Sequence, residues 1–226
     1  VARKMFFNEA HMVGMLQHPN IMPIYDAGEE DGKCYVVTEH VQGARTLAAY
    51  CRPDNLLRVD DVVEIIYKCA KALHYSHSRG VIHRDIKPSN VMLTIDNDVR
   101  IIGFGIAICA DAEVSRIEGI AGSPSYMSPE QIRNKLQDQR SDIYSFGCVV
   151  FEIATGKPPY SGSTANELLT KHLRAAVPSL RLDNPRISEQ FSHAVQQLLA
   201  KQPAERPASM DHVITSLTKI EIYNNT

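Results

Sequence analysis

Apolar residues recur at helical spacing near the start of the chain, with polar residues between them. Because residues three or four apart lie on one face of a helix, the pattern predicts an amphipathic helix from about residue 4 to residue 17. Pro19 ends the pattern, since proline rarely continues a helix. Glu9 lies on this predicted helix. The apolar positions are Phe6, Ala10, Val13 and Leu16.

Two short apolar runs follow this helix, at residues 21–28 and 33–40. Between them stands Asp31-Gly32, a dipeptide that readily adopts the positive φ angles of a tight hairpin turn. The pattern therefore predicts two antiparallel strands.

Long helical patterns dominate the rest of the chain. Residues 59–80 repeat apolar positions on one face and end at Gly80, a residue type that often follows a helix directly. Residues 141–160 are apolar almost all round, which predicts a helix buried on every side. Ser141 and Asp142 are its expected N-terminal caps.

Two further amphipathic helices are predicted within residues 187–200 and 209–220, and residues 223–226 are expected to form a frayed end. The predicted strands come early and the helices late. This order indicates an α+β fold with a small lobe that contains a sheet and a larger helical lobe.

The composition is that of a soluble globular protein, with 44% hydrophobic and 22% charged residues. A formal charge of -2 gives no general attraction for nucleic acid. No apolar run reaches the roughly 18 residues that a membrane span needs. The five cysteines show no zinc-binding spacing, so they are interpreted as small core residues in a reducing cytoplasm.

The clearest chemical motif spans residues 83–90, with the sequence HRDIKPSN. Phosphoryl transfer needs a carboxylate that accepts a hydroxyl proton, a cation near the moving phosphate and an oxygen ligand for a metal ion. Asp85, Lys87 and Asn90 offer these three groups. A histidine and an aspartate alone would fit a structural role equally well. Because a lysine and an asparagine follow the aspartate by two and five positions, the segment resembles the catalytic loop of protein kinases.

Further motifs carry the resemblance over nearly the whole chain. Residues 128–130, Ser-Pro-Glu, resemble the motif that closes the activation segment of kinases, and the resemblance implies that Glu130 pairs with Arg206. It also implies that Asp142 anchors the backbone of the catalytic loop. His83 and Phe104 match positions in the apolar column that couples the two lobes of a kinase.

The resemblance implies ATP and Mg²⁺ as cofactors. Thr38, Glu39 and His40 fall at the gatekeeper and hinge, where adenine would bind backbone groups, and Val41 and Met92 are further expected nucleotide-binding residues. Glu9 would pair with a lysine on a preceding strand.

The substrate class is suggested by Lys87-Pro88 and by residues 121–131, which resemble serine/threonine kinases, particularly bacterial ones. Ser123 sits where such enzymes place a hydroxyl next to the catalytic aspartate and lysine. Arg84 would pair with a phosphorylated residue of the activation segment. Ser115 is the nearest candidate, although an ordinary solvated loop serine fits the sequence equally well.

One departure from the family pattern concerns the metal. Kinases place Asp-Phe-Gly where this chain has Gly103-Phe104-Gly105, and that aspartate binds Mg²⁺. Asn90 is then the one remaining metal ligand of the usual pair. The loss of one preorganised electrostatic group costs roughly 100- to 1,000-fold in rate. We expect an aspartate at position 103 to be accommodated without backbone strain.

A second departure concerns the start of the sequence, which lies eight residues before Glu9 and includes neither a glycine-rich loop nor the strand that carries the lysine. We expect the sequence to be a fragment of a longer gene product; the alternative is a protein without those strands. The expected organisation is a partial small lobe at residues 1–38, a hinge at 39–43, a large lobe at 44–222 and a tail at 223–226.

Three functions remain open. The first is a serine/threonine kinase domain acting on protein substrates, with catalysis impaired at Gly103. The second is a pseudokinase that binds signalling partners as a scaffold. The third is a small-molecule phosphotransferase with a related loop, which the motifs at residues 128–130 and at Asp142 disfavour.

Overall fold

In the described part of the chain, helices are the commonest regular structure, and seven short strands lie between residues 24 and 109. The computed structural model describes residues 2–96, 98–109 and 122–224. The helices are α1 Ala2–Gly14, α2 Val59–Ser78, α3 Pro129–Ile132, α4 Gln139–Thr155, α5 Ala165–Arg174, α6 Glu189–Leu198 and α7 Met210–Leu217.

The strands form three small antiparallel sheets, in which β1 pairs with β2, β5 lies between β3 and β6, and β4 pairs with β7. The α+β fold with a small sheet-containing lobe and a larger helical lobe is confirmed. The strands are β1 Ile24–Glu30, β2 Lys33–Thr38, β3 Arg45–Thr46, β4 Val81–Ile82, β5 Val91–Leu93, β6 Val99–Ile101 and β7 Ile108–Cys109.

The predicted hairpin between β1 and β2 is present. Asp31 and Gly32 have φ angles of 49° and 73°, and residues Glu30 and Lys33 pair directly across the turn. Positive φ at both central residues gives the turn a twist that matches the flanking strands.

The helix α4 lies at the centre of the large lobe, and every residue from Ser141 to Thr155 is buried. Its N-terminal cap is Asp138, whose side chain accepts a hydrogen bond from the backbone nitrogen of Arg140. The expectation that Ser141 and Asp142 cap the helix is therefore wrong, because both lie inside its first turn. Their side chains are then free to bind other elements.

Residues 223 and 224 pack onto the large lobe, and the rest of the predicted tail, residues 225 and 226, lies outside the described residues. Tyr223 forms a β-bridge with Ile187, and the backbone nitrogen of Asn224 donates to Arg186 O at 2.8 Å. The expectation of a frayed end is thus wrong for residues 223 and 224. Within the described residues, no helix is long and apolar enough to cross a membrane.

Candidate active site

The segment between β4 and β5 brings a carboxylate, an ammonium group and a hydroxyl together. Lys87 Nζ lies 2.7 Å from Asp85 Oδ2 and 2.7 Å from Ser123 Oγ. The other carboxylate oxygen, Asp85 Oδ1, accepts a hydrogen bond from the backbone nitrogen of Ser123 at 3.1 Å. Hydrogen bonds therefore fix the orientation of both carboxylate oxygens of Asp85. They also connect Asp85 to the loop that carries Ser123.

Asn90 completes this cluster from a short 3-10 turn, Pro88–Asn90. Its amide Nδ2 donates to Asp85 O at 2.8 Å and contacts Asp85 Oδ2 at 3.2 Å. Its backbone carbonyl accepts from the nitrogen of Ile102 at 3.0 Å. The three residues of the sequence motif thus share one site, and Asn90 connects it to the segment after β6.

Asp142 holds the backbone of this loop from the core of the large lobe. Its carboxylate accepts hydrogen bonds from the backbone nitrogens of His83 at 2.8 Å and Arg84 at 2.7 Å. The Nε2 of His77 lies 2.7 Å from the same carboxylate. Burial alone would raise the pKa of Asp142, but the hydrogen bonds from His77 and Arg84 outweigh it and lower the pKa. The loop is therefore fixed by an ionised group.

His77 was not identified from the sequence, although it lies in the last turn of α2, which the strand β4 connects to the loop. Gln131 was missed as well, and its Nε2 donates to Arg84 O at 2.8 Å. His77 contacts the carboxylate of Asp142, 65 positions later, and Gln131 binds a backbone carbonyl 47 positions earlier. A local motif gives no signal for such contacts.

The Gly103-Phe104-Gly105 segment, which follows β6, has an unusual backbone conformation at Gly103. Gly103 has φ 84° and ψ 43°, a left-handed region that residues with a Cβ rarely adopt. The backbone nitrogens of Gly103 and Phe104 donate to Glu9 Oε1 at 3.1 and 3.2 Å. Phe104 is fully buried, with its ring centroid 4.3 Å from that of His83. The carboxylate of Glu9 thus binds this segment directly.

Arg206 and Glu130 form a buried ion pair in the large lobe. Arg206 contacts Glu130 at two points, with Nη1 2.7 Å from Oε1 and Nη2 2.9 Å from Oε2. Ser141 Oγ also donates to Glu130 Oε1 at 2.7 Å. Burial would raise the pKa of Glu130, but the contacts with Arg206 and Ser141 lower it. Ser128 begins α3 with a capping box that it forms with Gln131.

Comparison with known proteins identifies this arrangement. The family model of the protein kinase domain matches residues 2–217. The chain belongs to the protein kinase family. It is a eukaryotic-type serine/threonine kinase domain of the kind found in bacteria, as its relatives show.

Several bacterial kinases are similar to this domain over most of its length. The serine/threonine-protein kinase PrkC of Bacillus subtilis is 36% identical over 202 residues, which cover 89% of this chain and 31% of PrkC. PknB of Mycobacterium leprae is 38% identical over 209 residues, covering 89% and 33%. The probable kinase PknB of Lactococcus lactis is 34% identical over 218 residues, covering 96% and 35%. The chain thus spans about a third of the length of these relatives.

The kinase domain offers few ligands for Mg²⁺. Magnesium prefers six oxygen ligands, usually with one or two carboxylates. At the position opposite Asn90 stands Gly103, which has no side-chain oxygen, and the described residues contain no group of three or more acidic, histidine or cysteine side chains that could hold a metal. The Gly103 side of Asn90 therefore offers no carboxylate that could share a metal ion with the amide oxygen.

The space beside Gly103 is also smaller than the sequence suggested. A Cβ built on Gly103 would lie 2.6 Å from Asn90 Nδ2, and the φ angle of 84° disfavours any residue with a side chain. The expectation that an aspartate fits here without strain is therefore wrong. The clash involves the end of a side chain, so rotation of Asn90 would relieve it.

At the predicted hinge and the residue before it, Thr38 Oγ1 donates to Glu39 O at 3.3 Å, and Val41 O accepts from Ala44 N at 3.3 Å. The carboxylate of Glu39 bonds to Arg100 of β6 at 3.0 Å. Met92 lies in β5, between its neighbours β3 and β6. Their roles in adenine binding stay predictions.

Arg84 is buried, and its side chain is held by neutral oxygens. Its Nε donates to Gln137 Oε1 at 2.7 Å, and Nη1 lies 3.4 Å from Ile106 O. Its predicted phosphorylated partner, Ser115, lies outside the described residues. The pairing of Arg84 with a phosphate stays a prediction.

Proposed function

We propose that this kinase domain keeps the groups that accept the proton of a substrate hydroxyl. It transfers phosphate slowly, because position 103, opposite Asn90, lacks a carboxylate. The observation that carries the proposal is Gly103, which stands next to the intact cluster of Asp85, Lys87 and Asn90. ATP is the expected phosphate donor. The expected acceptor is a serine or threonine of a protein.

The contacts of Asp85 support its role as the acceptor of the hydroxyl proton. A general base must point at its substrate in one orientation, and Lys87 and the backbone nitrogen of Ser123 hold the two carboxylate oxygens. Lys87 also supplies a positive charge, which would stabilise the negative charge of the phosphate group during its transfer. These contacts among Asp85, Lys87 and Ser123 involve protein atoms alone.

A scaffolding role is the second proposal, and one observation favours it. The carboxylate of Glu9 and the amide of Asn90 are both engaged with the protein itself. A domain with these contacts holds a defined conformation without nucleotide and could signal to a protein partner by its shape. Either role suits a cytoplasmic domain. Membership of the protein kinase family argues against the third alternative, a small-molecule phosphotransferase.

A thermal melt with and without metal tests the first proposal. We expect the same melting temperature with ATP plus Mg²⁺ as with ATP plus a chelator, because a single amide oxygen gives the metal too few ligands. A ligand at 100 times its Kd stabilises by about 2.7 kcal/mol, which a melt detects easily.

The controls are Mg²⁺ without nucleotide and the Asn90→Ala variant. A rise in melting temperature that requires both ATP and Mg²⁺, and that disappears in Asn90→Ala, would show that the site binds the metal as it stands. That result would contradict the proposal.

A further inference from the structure

The side chain of Asn8 points at three backbone carbonyls of the segment after β6. Its Nδ2 lies 3.0 Å from Ala107 O, 3.2 Å from Gly105 O and 3.5 Å from Phe104 O. Asn8 belongs to α1, almost 100 positions earlier in the chain. A side-chain amide nitrogen carries two hydrogens, so it can serve two of these carbonyls fully.

This segment depends on partners outside itself. Gly103 and Gly105 flank Phe104, and glycine loses more backbone freedom on folding than any other residue. The turn is a single short 3-10 helix, Phe104–Ile106, closed by the hydrogen bond from Ala107 N to Phe104 O at 3.0 Å. The conformation that buries Phe104 must therefore be stabilised by neighbours.

Two adjacent residues of α1 supply complementary partners. Glu9 Oε1 accepts from the nitrogens of Gly103 and Phe104, and Asn8 Nδ2 donates to the carbonyls of Gly105 and Ala107. Glu9 thus binds backbone N–H groups of this segment, and Asn8 binds its backbone carbonyl groups. Buried backbone groups need such partners, since an unpaired group costs free energy.

We propose that Asn8 is a positioning residue that, together with Glu9, fixes the Gly103–Ala107 segment with Phe104 buried. The inference rests on the hydrogen bonds of α1 and is independent of the proposed rate of phosphate transfer. Its failure would leave the proposed function untouched, and the reverse also holds.

The substitution Asn8→Asp tests this directly, because it keeps the shape of the side chain and removes its hydrogens. An ionised carboxylate would face three carbonyl oxygens and repel them. Hydrogen exchange of backbone amides, read by mass spectrometry on the whole chain, reports the opening of the segment. We expect peptides that cover residues 103–109 to exchange at least about 10-fold faster in this variant at pH 7, since two hydrogen bonds are lost.

Two controls separate positioning from a general effect. Asn166→Asp makes the same change at an exposed position of α5 and should match the wild-type protein. Peptides from α4 should be unaffected by Asn8→Asp. A pH series adds a second readout: near pH 4 the introduced carboxyl gains a proton and can donate again, so the excess exchange should shrink. Asn8→Ala, with no group to protonate, should show no such recovery.

Three results would overturn the inference. Exchange at residues 103–109 in Asn8→Asp could equal that of the wild-type protein, which would mean that the hydrogen bonds do not hold the segment. The excess could fail to shrink at low pH, which would mean that donation from position 8 is not what matters. Exchange could accelerate equally in α4, which would indicate a loss of global stability.

Discussion

The amide of Asn90 occupies the place that a side chain on Gly103 would need. A Cβ built on Gly103 would lie 2.6 Å from Asn90 Nδ2 and 2.7 Å from Asn90 Cγ. The same amide donates to the backbone carbonyl of Asp85. The absence of a side chain at position 103 and the placement of Asn90 are therefore linked, and a residue added at 103 must move a group of the active site.

The first prediction concerns the stability cost of a side chain at position 103. The left-handed conformation costs a residue with a Cβ roughly 1–2 kcal/mol, and displacement of Asn90 weakens a hydrogen bond worth about 1 kcal/mol. We expect Gly103→Ala to lower the free energy of unfolding by about 1–3 kcal/mol in a denaturant titration.

Gly14→Ala is the matched control, because that glycine ends α1 with nothing within 4 Å of a built Cβ. It should be neutral or stabilise by up to about 1 kcal/mol. Equal stability of Gly103→Ala and the wild-type protein would mean that the backbone at 103 is not strained by a side chain.

The second prediction concerns the ion pair between Arg206 and Glu130. Arg206→Ala would leave the carboxylate of Glu130 buried without its partner, since the side chain of Glu130 is 6% exposed. The loss of one partner of a buried pair costs roughly 3–5 kcal/mol. The measurement is the free energy of unfolding from denaturant titration.

Arg181→Ala provides the comparison, because Arg181 lies 3.9 Å from Glu189 and both side chains are exposed. Exposed pairs contribute about 0–1 kcal/mol. If both arginine variants lose the same small amount of stability, the pair at Arg206 does not support the fold as described.

The third prediction concerns acid unfolding. Burial tends to raise the pKa of Asp98, but hydrogen bonds from Arg100 and Lys68 outweigh it and lower the pKa from 3.8 to about 2. A carboxyl group with a lower pKa in the folded state stabilises the protein above its unfolded pKa. That contribution is lost as the pH falls through the folded pKa.

The stability advantage of the wild-type protein over Asp98→Asn should therefore be largest above about pH 4 and shrink as the pH falls toward 2. Unfolding free energies measured from pH 2 to pH 7 check this. Asp54→Asn, at an exposed loop position, is expected to stay close to the wild-type protein throughout. A difference between wild type and Asp98→Asn that does not change with pH would contradict the assignment of these contacts.

The parts of the site that are local in sequence could be predicted. Asp85, Lys87 and Asn90 lie within six positions of one another, so their spacing alone indicated a shared chemistry. The hairpin at Asp31-Gly32 follows from the conformations that these two residues prefer. The fold class followed from the order of strands and helices.

Contacts between distant segments could not be predicted in this way. Asn8 binds carbonyls almost 100 positions away, and Tyr223 pairs with Ile187, although neither residue belongs to a motif. The φ angle of Gly103 was also unpredictable, because glycine is compatible with many conformations. The domain boundaries and the roles of the site residues stay predictions that experiments must test.

The central claim is that the missing carboxylate at position 103 limits phosphate transfer. Gly103→Asp supplies the carboxylate, and Gly103→Asn supplies a side chain of the same shape without the charge. Both place the same strain on the backbone and on Asn90. The comparison of the two variants therefore isolates the charge.

The measurement is the transfer of radiolabelled phosphate from ATP, with Mg²⁺, to a generic serine/threonine substrate by the intact gene product. We expect Gly103→Asp to gain on the order of 100-fold over the wild-type protein, and Gly103→Asn to gain nothing. Addition of Asp85→Asn to Gly103→Asp should remove the gain. No gain in Gly103→Asp, an equal gain in Gly103→Asn, or a gain that survives Asp85→Asn would contradict the account.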